Sequence, residues 1–355
     1  MKGPIKIRKI SISNYKGIKE LDLDFPKPRM ETDPDIMVLG SENGIGKTSI
    51  IECCSLLLNS LMVKTGEYPL INRRGTLNIP DLLIRAGEDK LEIKGTVVYR
   101  NKNISLNLTI KRNGSLKVEN NSKPWRETEK DETDSITYGI LRDICGISVN
   151  PVLENLYLLF HSYRKVQEGN PELGMMIDDT ENITTKYISA RYRHRYEMPM
   201  SAFKIAVLKS MMSNANLFET NGNNNPKTNT IHKLNFLVKQ YADGMIDKLR
   251  PEPDNTIDVR IKHSEQKETY SFDGLSSGQK EIISTLFLIW QNTIEREKVV
   301  FIDEPELHLN AQWHRNFINS LIELAPNNQY IIATHSETII DSVGKDRCLI
   351  LYNTL

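Results

Sequence analysis

Three short stretches of this sequence carry residue types that together suit phosphoryl transfer. The first is Ser41-Glu-Asn-Gly-Ile-Gly-Lys-Thr48. A turn of small residues, here Ser41, Asn43, Gly44 and Gly46, points backbone N–H groups inward. The helix N-terminus that follows adds its dipole, and together they cradle phosphate oxygens. Lys47 is placed to reach the β- and γ-phosphates of a nucleoside triphosphate and Thr48 to ligate Mg²⁺, with Ser49 a further nucleotide-binding candidate. The motif departs from the usual P-loop at its first position, where Ser41 stands for glycine and Gly40 comes one residue early. The second stretch, Val299-Val-Phe-Ile-Asp-Glu304, is an apolar run ending in two acids. At a strand end facing the phosphates, Asp303 would hold Mg²⁺ and Glu304 would polarise the attacking water as general base. The third, Leu275-Ser-Ser-Gly-Gln-Lys280, opens an amphipathic helix. Ser276, Ser277, Gly278 and Gln279 there offer hydroxyls and N–H groups to a second anion, and a serine at this place also serves as an ordinary N-cap.

These motifs need strands and helices in a fixed order to place them. Ile36-Met-Val-Leu39 is a continuous apolar run of the kind found in a fully covered strand. After the glycine-rich turn, Ile50, Ile51, Cys54, Leu57, Leu58 and Leu61 share one face of a helix. Ahead of it, Ile5 with Ile7, Ile10 with Ile12, and Leu21 with Leu23 and Phe25 show period two and read as successive strands. Residues 92–120 read as a β-meander with an Asn113-Gly114 turn. Residues 156–160 form a further strand candidate, and residues 166–250 are mostly helical in pattern, interrupted by the polar linker Asn221–Pro226. The last hundred residues alternate again: strand 257–261, helix 278–294, strand 299–302, helix 311–324, strand 330–333 and strand 348–352. Such alternation predicts an α/β fold with a mainly parallel core sheet, an antiparallel meander lobe and a helical insertion. The expected division is 1–120 and 251–355 as two parts of one head, with 121–250 as the insertion.

Lys plus Arg and Asp plus Glu number 46 each, so no global basic charge points to nucleic acid. One local cluster, Arg191-Tyr-Arg-His-Arg-Tyr196, interleaves Arg191, Arg193 and Arg195 with tyrosines. It is a candidate for phosphate pairing and base stacking, set against an equally simple reading as a solvated basic face. No run of about 20 apolar residues is present, so no membrane span is expected. Cys53, Cys54, Cys145 and Cys348 show no metal or CxxC spacing and suit reduced thiols in a cytoplasmic protein.

Taken together, the P-loop, the LSxGQ-type signature, the apolar strand with Asp303-Glu304 and the distal His335 resemble the ABC ATPase superfamily. Within it, Ile12-Ser-Asn-Tyr-Lys-Gly-Ile18 and Asp303-Glu-Pro-Glu-Leu-His-Leu309 resemble the RecF/SMC/OLD branch rather than transporters. Antiphage-defence ATPases such as PtuA of Septu systems, and those of some retrons, are of that branch. The resemblance covers roughly residues 1–60 and 255–355. It implies an ATPase that binds ATP and Mg²⁺ and dimerises head-to-tail, the signature of one copy capping the γ-phosphate held by the other. It also implies a γ-phosphate switch role for His335, a phosphate-side place for Lys16, and an interface loop at Glu306–Leu309. The family's Q-loop glutamine has no clear counterpart, Gln167 being a weak candidate. The sequence ends just past its last strand, so the nuclease domain of OLD proteins is not expected, and any nuclease activity is expected from a partner. The expected function is an ATP-driven switch in an antiphage complex with a nuclease or other effector. The alternative is a RecF-like DNA-maintenance ATPase that binds DNA directly.

Overall fold

The computed structural model describes residues 4–30, 33–40, 46–61, 65–69, 79–99, 102–121, 152–153, 156–162, 203–208, 230–253, 256–263, 265, 268–307 and 309–351. Along the chain its elements begin with β1 (Ile5–Tyr15), β2 (Ile18–Asp24), β3 (Asp35–Gly40), α1 (Lys47–Asn59), β4 (Gly66–Pro69) and α2 (Ile79–Leu83). There follow β5 (Lys90–Tyr99), β6 (Lys102–Lys111), β7 (Ser115–Asn120), β8 (Val152–Leu153), β9 (Tyr157–Phe160), α3 (Thr230–Ala242), β10 (Gly244–Pro251), β11 (Ile257–His263) and β12 (Thr269–Ser271). The chain closes with α4 (Ser277–Thr293), β13 (Val299–Asp303), α5 (Ala311–Leu324), β14 (Gln329–Thr334), α6 (Glu337–Asp341) and β15 (Cys348–Ile350). They divide into two compact units: Met1–Arg164 with Glu295–Leu307 and Ala311–Leu355, and Lys165–Ile294 with His308–Asn310.

The first unit holds two six-stranded sheets. One is antiparallel, in the order β2-β1-β5-β6-β7-β4. The other runs β15-β3-β14-β13-β9-β8 and is parallel except for the β8–β9 pair. Every residue of β3, β13 and β14 is buried, which accounts for their apolar interiors, with polar residues only at the strand ends. Helix α1 packs against β1, β5 and β6 of one sheet and β9, β13 and β14 of the other. It therefore buries nearly all of its circumference, from Ile50 to Asn59. Gly95 of β5 makes this approach possible, because a Cβ there would overlap the Leu57 side chain and the Lys9 carbonyl. Cys53 and Cys54 are buried on α1 and Cys348 is half-buried, none of the three in a disulfide. Among the described residues no helix is long and apolar enough to cross a membrane.

The β1 strand corrects the reading of two short strands. Ile5 and Ile7 are buried on odd positions, Ile10 and Ile12 on even ones. A bulge explains the change of parity: pairing with β5 slips between Ile7 and Lys9, so one continuous strand keeps all four isoleucines on the core face. Buried Gln329, at the start of β14, serves the backbone at this bulge. Its amide oxygen accepts from Ile7 N at 2.7 Å, and its Nε2 donates to Ile7 O at 2.9 Å. Arg8, the displaced residue, pairs with Asp35 of β3 at 2.7 Å. The meander falls where the sequence placed it, with Gly114 at φ 84 closing a three-residue turn whose N–H donates to Lys111 O.

In the second unit β10, β11 and β12 form an antiparallel sheet. Helix α3 stops at Asp243, whose φ of 46 is left-handed, and the chain turns at once into β10. Residues 244–251 are thus a strand, where the sequence pattern suggested helix: Ile246 is buried, its neighbours Met245 and Asp247 are exposed, and Pro251 suits a strand end better than a helix interior. Phe203, in the helical residues 203–208, lies 4.7 Å from the Phe272 ring and 5.4 Å from that of Phe287. The linker 221–226 lies outside the described residues.

Candidate functional site

The carboxyl ends of three adjacent parallel strands coincide. Thr334 of β14 stands opposite Gly40 of β3, and Asp303 of β13 opposite Ala333 of β14. In parallel sheets ligands bind beyond this edge. The segment leaving β3 reaches Gly46, which adopts φ 94 and precedes α1 with no side-chain cap. That left-handed turn is open to glycine at little cost and brings the chain directly into the first helical residues, Lys47 and Thr48.

Five side chains meet there. Thr48 Oγ1 donates to Asp303 Oδ2 at 2.9 Å, joining the start of α1 to the end of β13 across 255 residues of sequence. Lys47 Nζ lies 3.2 Å from Nδ1 and 3.0 Å from Nε2 of His335, just past β14. His335 Nε2 lies 3.3 Å from Glu304 Oε1. Lys47 has only donors and an ionised carboxylate only acceptors, so the His335 ring stands between a donor and an acceptor. Lys47 is buried, and burial pushes its pKa below the ordinary lysine value, opposed by the charges of Glu304, Asp303 and Glu306. Glu304 has φ 47, a left-handed conformation that costs a residue with a Cβ about 1–2 kcal/mol. Its N–H donates to Ala333 O at 2.8 Å, which holds the turn against β14.

One acid that the motif reading left without a role of its own sits beside these. Glu306 accepts from His335 N at 2.6 Å and from Thr334 Oγ1 at 2.8 Å. The sequence marks it only as part of the phrase Asp303–Leu309 and as the first residue of the expected interface loop, not as a support for His335. Lys16 Nζ pairs with both oxygens of buried Glu52, on the same helix as Lys47 and Thr48, at 2.8 and 2.6 Å. Tyr15 Oη donates to the same carboxylate at 2.9 Å. Lys16 takes φ 48 to make this turn, with about a third of its side chain exposed.

In the second unit Ser276 caps α4. Its Oγ accepts from Gln279 N at 3.3 Å, and Gln279 Oε1 accepts from Ser276 N at 3.0 Å, a complete capping box. Gln279 Nε2 donates onward to Tyr241 O at 3.0 Å. Ser276 and Ser277 are exposed and Gly278 is buried. Ser41, Asn43, Gly44, Gln167, Arg191, Arg193, Arg195 and His308 lie outside the described residues, while Ser49 lies in the first turn of α1.

The donors at the strand ends fit a nucleotide and its cation. A hydroxyl and a carboxylate, Thr48 and Asp303, are hard oxygen ligands of the kind Mg²⁺ takes. Beside them a lysine and a helix N-terminus face the same edge.

Comparisons with known proteins agree. A family model described as "AAA domain, putative AbiEii toxin, Type IV TA system" matches residues 157–341, and one described as "AAA domain" matches residues 9–198. The chain is 20% identical to the retron Ec83 probable ATPase of Escherichia coli, over 99% of this chain and 72% of that protein. It is 22% identical to the Septu protein PtuA of Bacillus mycoides over 93% of this chain, which spans only 38% of PtuA. Among solved structures, an SMC head bound to the C-winged helix domain of ScpA matches with a TM-score of 0.53. That likeness covers 95% of this chain and 91% of the other at 14% identity, and it shows the fold alone. With strand ends that bring a P-loop lysine and threonine to an Asp-Glu pair, and with each family model covering just over half of its length, the chain belongs to the AAA-domain family and has the SMC-head-like α/β ATPase fold.

Proposed function

We propose that this protein is a Mg²⁺-dependent ATP-binding and ATP-hydrolysing switch of an antiphage-defence complex. The observation that carries the catalytic part is the meeting of Lys47, Thr48, Asp303, Glu304 and His335 at one sheet edge. Lys47 and the N-terminus of α1 neutralise phosphate oxygens. Thr48 and Asp303 hold the cation, which supplies charge neutralisation on the phosphates when bound. Glu304 accepts a proton from water as the water oxygen bonds to the γ-phosphorus. The bond from that phosphorus to the bridging oxygen breaks, and ADP leaves with the bonding pair. His335, already in contact with Lys47 and Glu304, senses whether the γ-phosphate is present. Ser276, Ser277 and Gly278 of a second copy complete the site, giving an ATP-sandwiched dimer. The defence role is supported by the similarity to a retron ATPase and to PtuA, with a nuclease or other effector as partner.

Affinity purification of Glu304→Gln from its native host, with ATP and Mg²⁺, tests the reading as a whole. A stoichiometric effector protein in the eluate is the expected result. An eluate of this chain and DNA alone contradicts the defence role and supports direct action on DNA.

A further inference from the structure

The exits of β13 and β14 are joined at two levels. At the first, the backbone of Glu304 donates to Ala333 O. At the second, one side chain does the work: the two oxygens of Glu306 each take one donor, Oε1 the His335 N–H and Oε2 the Thr334 hydroxyl. Having given its proton to Glu306, the Thr334 oxygen is free to accept, and it takes the Ser336 N–H at 3.0 Å. Ser336 in turn caps α6, its Oγ accepting from Ile339 N. A single carboxylate, accepting at both oxygens, thereby orders three successive residues centred on His335. Both Glu306 bonds go to residues 334 and 335 through a hydroxyl and a backbone N–H, not through the His335 ring. Glu306 fixes the backbone from which the ring reaches Lys47 and Glu304.

The turn that carries Glu306 is itself fixed to Glu304, since Leu307 N donates to Glu304 O at 3.2 Å. Any displacement of this turn moves the base and the support of the histidine together. We infer that Glu306 is a positioning residue that sets His335 for catalysis through its backbone, coupling the turn after β13 to the γ-phosphate side of the site. This rests on the role proposed above for His335.

Four proteins test it: wild type, Glu306→Ala, His335→Ala and the double variant, each assayed for ATP turnover and for ATP affinity. Glu306→Ala is expected to lower turnover about tenfold while affinity stays within about threefold. In the His335→Ala background the same change is expected to add less than about twofold, because the two residues act as one unit. Glu306→Gln keeps an acceptor for the His335 N–H and is expected to recover most of the turnover. Should Glu306→Ala not fold, Thr334→Val removes one of the two bonds at nearly constant shape and is expected to show the same pattern. Normal turnover in Glu306→Ala beside slow turnover in His335→Ala overturns this inference alone, as do effects that simply multiply. Normal turnover in His335→Ala overturns the role of the histidine and this inference with it.

Discussion

Two helices of this protein open on small polar motifs, and their N-termini are built in opposite ways. Helix α4 closes on itself: Ser276 and Gln279 exchange bonds, and Gln279 also reaches the Tyr241 carbonyl. Helix α1 opens from Gly46, which has no side chain to return to the backbone. A helix leaves its first N–H groups without intrahelical partners. A capping box satisfies them locally and contributes stability. A glycine entry supplies no side-chain cap, and Lys47 and Thr48 place a cation and a hydroxyl at the same end. The same backbone feature thus closes on its own chain in one unit, and in the other it stands where the proposed function places the phosphates.

Substitutions at the two starts should separate those uses. Lys47→Ala carries the largest expected effect: loss of a buried cation from the phosphate side should weaken ATP binding by about 100-fold or more, measured by calorimetry. Unchanged affinity would mean that α1 is not the phosphate end. Gly46→Ala comes next, because a Cβ at φ 94 costs about 1–2 kcal/mol. Urea denaturation should show that loss together with weaker ATP binding. Ser276→Ala should have the smallest effect, about 1 kcal/mol of stability from the lost cap, with ATP affinity of the isolated chain unchanged. Weaker binding by that variant would show that α4 serves the ligand of its own chain.

Much of this was legible in the sequence because the informative patterns are local. The α/β class, the meander and the buried strands follow from residues within a few positions of one another. So does the helix after Gly46. What escaped depended on tertiary context. The bulge in β1 inverts the parity of its isoleucines, and a period-two reading sees two strands unless it knows that Gln329 satisfies the displaced backbone. The start of β10 looks helical because its few apolar residues fit either period, and the left-handed Asp243 decides the matter. Glu52, as the partner of Lys16, is one charged residue on a helix otherwise read for its apolar face. Glu306 shows the same limit at the site. Its motif neighbours advertise themselves by type and spacing, but its two bonds are to a backbone N–H and a hydroxyl on another strand.

In the proposed mechanism Lys47 binds the phosphates while Glu304 activates water at the same sheet edge. Glu304→Gln tests it most directly when nucleotide binding and phosphate release are measured on one preparation with Mg²⁺ present. ATP affinity near that of wild type, with turnover lowered by about 100-fold or more, is the expected result. Wild-type turnover at unchanged affinity would contradict it and remove Glu304 as the base.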